Sequence, residues 1–157
     1  MRPGISFVVA GLICATLVGF VGAALALDAI HNQENPKAPY ASSVVVPPGY
    51  TTYYISGSPG RGGDTGAQTA AVLANLKEQL AKLGLTFGDV VQAHVFLAGD
   101  PAKDGKMDFP AMNAEWFKEF GTPTQPNKPA RSAFQVAGIA GTNTLVEIEF
   151  IAVKKAN

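Results

Sequence analysis

The chain has 157 residues, 47% hydrophobic and 15% charged, which is enough for one domain with a real core and too few for two catalytic domains. Its first 27 residues hold a single charge, Arg2, so the other 130 carry 23 of the 24 charged side chains, 12 acidic against 11 basic. That balance offers no attraction to phosphate backbones or anionic lipid and excludes nucleic acid as a default partner.

Ile5 to Leu27 forms a run of 23 uncharged residues. A basic start, an apolar core and the small-x-small site Ala24-Leu25-Ala26 fit a cleaved secretory signal; the same run is long enough, at about 20 apolar residues, for a membrane-spanning anchor. Both alternatives leave Arg2 in the cytoplasm and export the domain to a periplasmic or extracellular setting, with membrane contact only through residues 5–27 if they are retained. The one cysteine, Cys14, lies in this run behind the bulky Ile13, so it makes no lipoprotein site, and the exported part has no disulfide, thiol nucleophile or Cys-ligated zinc.

Asp28 to Lys37 is polar and unpatterned and reads as a linker, which places the domain at 38–155. Ser42–Val46 and Tyr50–Ser56 are β-rich and flank Pro47-Pro48-Gly49, a hairpin-like pair. A glycine-rich loop, 56–63, leads to a helix opened by a Thr65-x-x-Gln68 capping box, with Val72, Leu73, Leu76, Leu80 and Leu83 at helical spacing and Gly84 as its stop. Val90–Leu97 comes next as a strand with Val91, Ala93, Val95 and Leu97 on one face. A second helix carries Phe109, Met112, Trp116 and Phe120 and stops at Gly121; Ala130–Val136 and Thr144–Val153 are the last two strands. The order β-β-α-β-α-β-β predicts an α+β sandwich, a mainly antiparallel sheet with both helices on one face. In the last strand Val146, Ile148, Phe150 and Ala152 share one face, while Leu145, Ile151 and Val153 flank Glu147 and Glu149 on the other. That second apolar face predicts homo-oligomerisation.

Few residues can carry chemistry. His31 sits in the linker and His94 in a strand, so a Ser-His-Asp triad or a His-ligated metal lacks parts, and His94 reads as structural or pocket-lining. The glycine loop lacks the Gly-Lys-Ser/Thr ending of a phosphate loop. Glu147 and Glu149 lie about 7 Å apart on one strand face. Arg131 opens a strand, with a carboxylate on the next; the pair can be a fork for a substrate carboxylate or a plain structural salt bridge, and residue types alone leave both open.

At these residues the sequence resembles the reactive intermediate/imine deaminase family, also known as RidA, YjgF or UK114 proteins. The resemblance runs from about Ala38 to Lys155. It is carried by Ala38-Pro39-Tyr40, Ile55-Ser56-Gly57, Gly63-Asp64-x-x-Ala67-Gln68-Thr69, Val95-Phe96-Leu97, Asp108-Phe109-x-x-Met112-Asn113, Pro129-Ala130-Arg131-Ser132 and Val146-Glu147-Ile148-Glu149-x-Ile151-Ala152. It implies a chorismate-mutase-like α+β fold, a homotrimer with sites in the clefts between subunits, and hydrolysis of enamines and imines such as 2-aminoacrylate to 2-keto acids and ammonia without metal or organic cofactor. By that similarity Arg131 clamps the substrate carboxylate and Glu147 positions the attacking water and shuttles its proton. Tyr40, Ser56 and Gly57 would line the pocket, Ala133 would offer main-chain groups and Asn113 would give support.

The chain also departs from the family pattern. Ala133 stands where many members have cysteine, Ser58 replaces a glutamine, loop 58–62 is shortened, and 99–106 and 122–128 are lengthened. All border the expected cleft and bear on substrate choice. A non-catalytic subunit that binds a carboxylate ligand, or serves in assembly, is the alternative reading.

Overall fold

The computed structural model describes residues 28–156. The apolar run read as an export signal or anchor lies outside them; among the described residues no helix is long and apolar enough to cross a membrane.

Helical spacing is realised in α1 (Thr65–Lys82), which turns Val72, Leu73, Leu76 and Leu80 into the core. Its start differs from the expected capping box. Asp64 is the N-cap, its Oδ1 accepting the Ala67 N–H at 2.8 Å, which puts Thr65 inside the helix and frees Gln68 for another task. Gln68 is fully buried, donates to the Asn143 carbonyl at 2.8 Å and accepts from the Leu145 N–H at 2.8 Å. It thereby clamps the loop before the last strand onto α1. The helix ends as expected at Gly84, whose φ of +70° lets its N–H reach the Ala81 carbonyl while the Leu85 N–H returns to Leu80.

The second helix, α2 (Phe109–Glu119), begins at Asp108, which accepts the Ala111 N–H at 3.1 Å. That bond chiefly, helped by Lys103 and opposed by burial, holds the Asp108 carboxyl below the usual carboxylate range. Met112 and Trp116, with Phe120 just past the helix, are fully buried.

The main sheet has four strands, β3 (Tyr50–Pro59), β4 (Val90–Ala98), β5 (Ala130–Val136) and β6 (Val146–Lys155), in the order β3-β6-β4-β5. All neighbours are antiparallel except β4 and β5, which run parallel. Both helices cover one face, where Val146, Ile148, Phe150 and Ala152 meet Ala93, Val95 and Leu97. The mixed α+β architecture is therefore the one expected.

Four local expectations change. The run 42–46 does not pair with β3: β2 (Ser43–Val45) pairs with β1 (Ile30–Asn32), a strand inside the stretch that reads as linker. Three residues are too short to show a period, and this ribbon is fixed by remote contacts instead, His31 Nδ1 to the Lys128 carbonyl at 2.8 Å and the Ala41 N–H to the Pro129 carbonyl at 2.9 Å. In β4 a bulge at Val91 breaks the alternation, so Val90 and not Val91 joins Ala93 in the core. The loop expected from Ser56 instead continues β3 to Pro59 through a bulge between Ile55 and Ser58. Leu145, expected beside Glu147, packs against the core.

The Gln68 clamp sets one measurable expectation. Gln68→Leu removes the side-chain partner of the Leu145 N–H and of the Asn143 carbonyl at a part-buried site and should lower the unfolding free energy by about 1–3 kcal/mol, read from urea denaturation.

Candidate functional site

Strand parity decides where each candidate residue points. Arg131 is in register with Ala93, a core position, so its side chain enters the helix-covered side of the sheet. There Nη2 donates to Asn113 Oδ1 at 2.8 Å and Nη1 approaches Met112 Sδ at 3.7 Å. The guanidinium lies over the Trp116 ring at 4.6 Å and the Phe109 ring at 5.8 Å. Phe109, Met112, Asn113 and Trp116 reach it together because their spacing of 3, 1 and 3 puts them on one helical face. Among the described residues no carboxylate stands within ion-pair distance of Arg131, which removes the structural salt bridge as its reason to be there. Burial pushes its pKa down to about 10, against a smaller opposing effect of Tyr40. Tyr40 belongs to the segment that runs beside the start of β5 through an Ala41–Ala130 bridge. Ala133 is partly buried on the same side of β5, an edge strand with one row of backbone groups left open.

Glu147 is on the opposite side. It pairs with Phe96 on β4 and Pro59 on β3 and faces away from the helices. With Glu149, Phe96, Val136 and Ile139 it lines a groove of about 350 Å³. Gly57, in the bulge of β3, packs against the Glu147 carboxylate so closely that a Cβ there would overlap it, and Ser56 precedes it at an exposed position. The bulge thus has a local purpose: it brings a side-chain-free stretch of backbone against the acid.

The strands of Arg131 and Glu147 follow one another in the sequence but are not neighbours in the sheet. β4 stands between β5 and β6, the two residues register three positions apart along it, and they occupy opposite faces. The candidate residues therefore fall into two groups, Tyr40, Asn113, Arg131 and Ala133 on the helix side and Ser56, Gly57 and Glu147 on the open side. Two features escaped the sequence reading. Trp116 and Phe109 read as core although they also carry the arginine. His94, read as structural or pocket-lining, accompanies the acid groove by binding Glu149 Oε1 through Nδ1 at 2.8 Å, with Gln92 at its other nitrogen at 2.9 Å. The long separation of 94 and 149 hides that pair from sequence spacing.

Known proteins share this architecture. The model of the family described as endoribonuclease L-PSP covers residues 31–154. The chain belongs to that family. A RutC family protein of Haemophilus influenzae is 37% identical over 135 residues, 80% of this chain and 96% of that protein. Protein DfrA of Myxococcus xanthus is 34% identical over 139 residues, 82% and 97% of the two chains. Among solved structures, a protein of the conserved Rid family from Yersinia pestis superposes with a TM-score of 0.63 at 27% identity, covering 80% of this chain and 98% of that one. A YjgF family member from Neisseria meningitidis gives 0.56 at 28% identity over 84% and 99%. The match to the family model begins at His31, inside β1, so the ribbon that reads as linker is part of the L-PSP fold here.

Arg131 is a cation stored without an acidic partner, and this fixes the sign of its effect on stability. Its folded-state pKa lies below the unfolded value, so the charged form is disfavoured by folding throughout the range below about 10, and the penalty is relieved only as pH rises past that point. Arg131→Met should accordingly raise the unfolding free energy at pH 7, by about 1–2 kcal/mol once screening of the partly exposed group is allowed for, as measured by urea denaturation.

Proposed function

We propose that the domain hydrolyses small 2-imino and enamine acids to the 2-keto acid and ammonia, in a cleft where two copies meet and one supplies Arg131 while the other supplies Glu147. The observation that carries this reading is the separation of the half-sites: a half-buried guanidinium held only by neutral groups on one face, and a carboxylate cradled by glycine backbone on the other. Neither is a complete site, and the open sheet face displays Tyr54 at 79% and Phe134 at 47% exposure, apolar surface that association of copies would cover. A closed ring with heterologous contacts, here a homotrimer, brings one kind of half-site against the other around the axis.

The chemistry needs little more than these groups. Arg131 takes the substrate carboxylate in two parallel N–H···O bonds and so fixes the imine carbon. Glu147 accepts a proton from water as its oxygen bonds to that carbon and the C=N electrons move to nitrogen. The protonated carboxyl then returns that proton to nitrogen, giving the carbinolamine. As the C–N bond breaks, the hydroxyl proton passes through the same carboxylate to the departing nitrogen, so that the C=O forms and ammonia leaves. An enamine first becomes the imine by moving a proton from nitrogen to carbon. The family is named for an endoribonuclease, but the groove around Glu147 is lined by two carboxylates and apolar residues, and the carboxylates repel a phosphate backbone. Tyr40, Ser56, Asn113 and Ala133 complete the proposed cleft. Ile5–Leu27 would export it or anchor it outside the cytoplasm.

Turnover is measured as keto-acid release while an amino-acid oxidase generates the imine in place. Arg131→Ala should lower kcat/KM roughly 30-fold to several thousandfold, and Glu147→Gln should lower kcat more than it weakens binding. Mixing the two inactive variants one to one, with subunit exchange, should restore about a quarter of wild-type turnover, since a site that draws one residue from each neighbour is intact in about one case in four. A site held within single chains would recover nothing. Wild-type protein that leaves the imine lifetime unchanged for several imino acids would reject the enzyme and favour a carboxylate-binding subunit.

A further inference from the structure

To receive a carboxylate through two parallel N–H···O bonds, a guanidinium has to be held in one plane, and a half-buried cation without an acidic partner has little electrostatic hold of its own. The Asn113 amide fixes one nitrogen and leaves rotation about that bond. Nη1 has only the Met112 thioether at 3.7 Å, and of the two rings beside the guanidinium, Phe109 at 5.8 Å and Trp116, the nearer is Trp116. Its ring lies 4.6 Å from Arg131 Cζ and is fully buried. It stacks on Phe120 at 4.3 Å and meets Phe150 edge-on at 6.3 Å. Wedged between those rings, the indole cannot turn, so it offers the guanidinium a fixed π face.

The other functional end of Trp116 reaches a different part of the chain. Nε1–H donates to the Pro39 carbonyl at 2.7 Å, directly before Tyr40. On the far side of Tyr40 the Ala41 N–H donates to the Pro129 carbonyl, two residues before Arg131. One side chain therefore touches both members of the carboxylate half-site: Arg131 through its face and the Tyr40 segment through its edge.

We propose that Trp116 is a positioning residue of the carboxylate site, presetting Arg131 by its ring and the Tyr40 backbone by its N–H before substrate arrives; this rests on the imino-acid reading above. A preset clamp spends no binding energy on ordering the arginine, so its loss appears in binding and KM and leaves the proton transfers at Glu147 nearly untouched. A core residue of purely structural importance would lower the amount of folded protein without that split.

The experiment compares Trp116→Leu, which removes ring and donor, with Trp116→Phe, which keeps a ring and removes the donor. Pyruvate, a 2-oxo acid, is the binding probe, titrated calorimetrically into the full chain. Trp116→Leu should weaken pyruvate binding and raise KM by about tenfold or more with kcat within about threefold, and Trp116→Phe, which keeps a ring and loses the donor, should weaken binding by about three- to fivefold. A second measurement needs neither ligand nor turnover. The chain has three arginines, and in arginine-labelled protein the Arg131 Cδ protons, assigned by their absence in Arg131→Lys, should be shifted upfield by the ring in wild type and in Trp116→Phe. In Trp116→Leu the shift should vanish. If Trp116→Leu fails to fold, Trp116→Phe carries the test through its weaker binding and retained shift. Pyruvate binding by Trp116→Leu, or by Trp116→Phe where only that variant folds, within twofold of wild type, or absence of the upfield shift in wild type, overturns the proposal. Pyruvate binding unchanged in Arg131→Ala overturns instead the imino-acid reading on which it rests, while the proton shifts still decide whether Trp116 orders the arginine.

Discussion

One face of the four-stranded sheet is closed by α1 and α2, and side chains alternate across a strand, so the parity of a residue decides whether it meets the helices or the open side. Val146, Ile148, Phe150 and Ala152 satisfy the closed side. Their alternates Glu147 and Glu149 are thereby sent to the open side. The same rule, carried across β4 by register, puts Arg131 among the helices. The separation of arginine and acid is thus a consequence of core formation: neither can change sides without turning an apolar neighbour into water or a charge into the core.

Two bulges adjust this plan locally. The one at Val91 turns that residue away from the helices and keeps Val90 in the core. The one between Ile55 and Ser58 inserts Gly57 against Glu147, where only a residue without Cβ fits. The first serves packing and the second serves the acid. Both would look like defects in an ideal ladder.

The surroundings of Arg131 hold a cation without neutralising it. Its guanidinium is partly withdrawn from water, its pKa depressed to about 10 by that burial, and the groups that hold it, an amide, a thioether and two aromatic faces, are all neutral. Neutral partners leave the positive charge unspent for a ligand, whereas a carboxylate would quench it. The aromatic cluster of Trp116, Phe120 and Phe150 that gives the core its rigidity also fixes this charge in place.

The sequence by itself determined the helices, the closed face of β6 and the α+β class, because each of these is written in local periodicity, and its short motifs named, through resemblance, the candidate residues of the two proposed half-sites. Only the tertiary structure decided that β4 intervenes between β5 and β6, that Val91 leaves the core, that Ile30–Asn32 is a strand, that Gln68 clamps a loop and that His94 meets Glu149. These depend on pairings between residues tens of positions apart or on a single inserted residue, and neither leaves a period in the chain. The split of Arg131 from Glu147 belongs to the second group for the same reason: strand order is chosen by which apolar faces the helices can cover together, a global packing condition that no local stretch of sequence records.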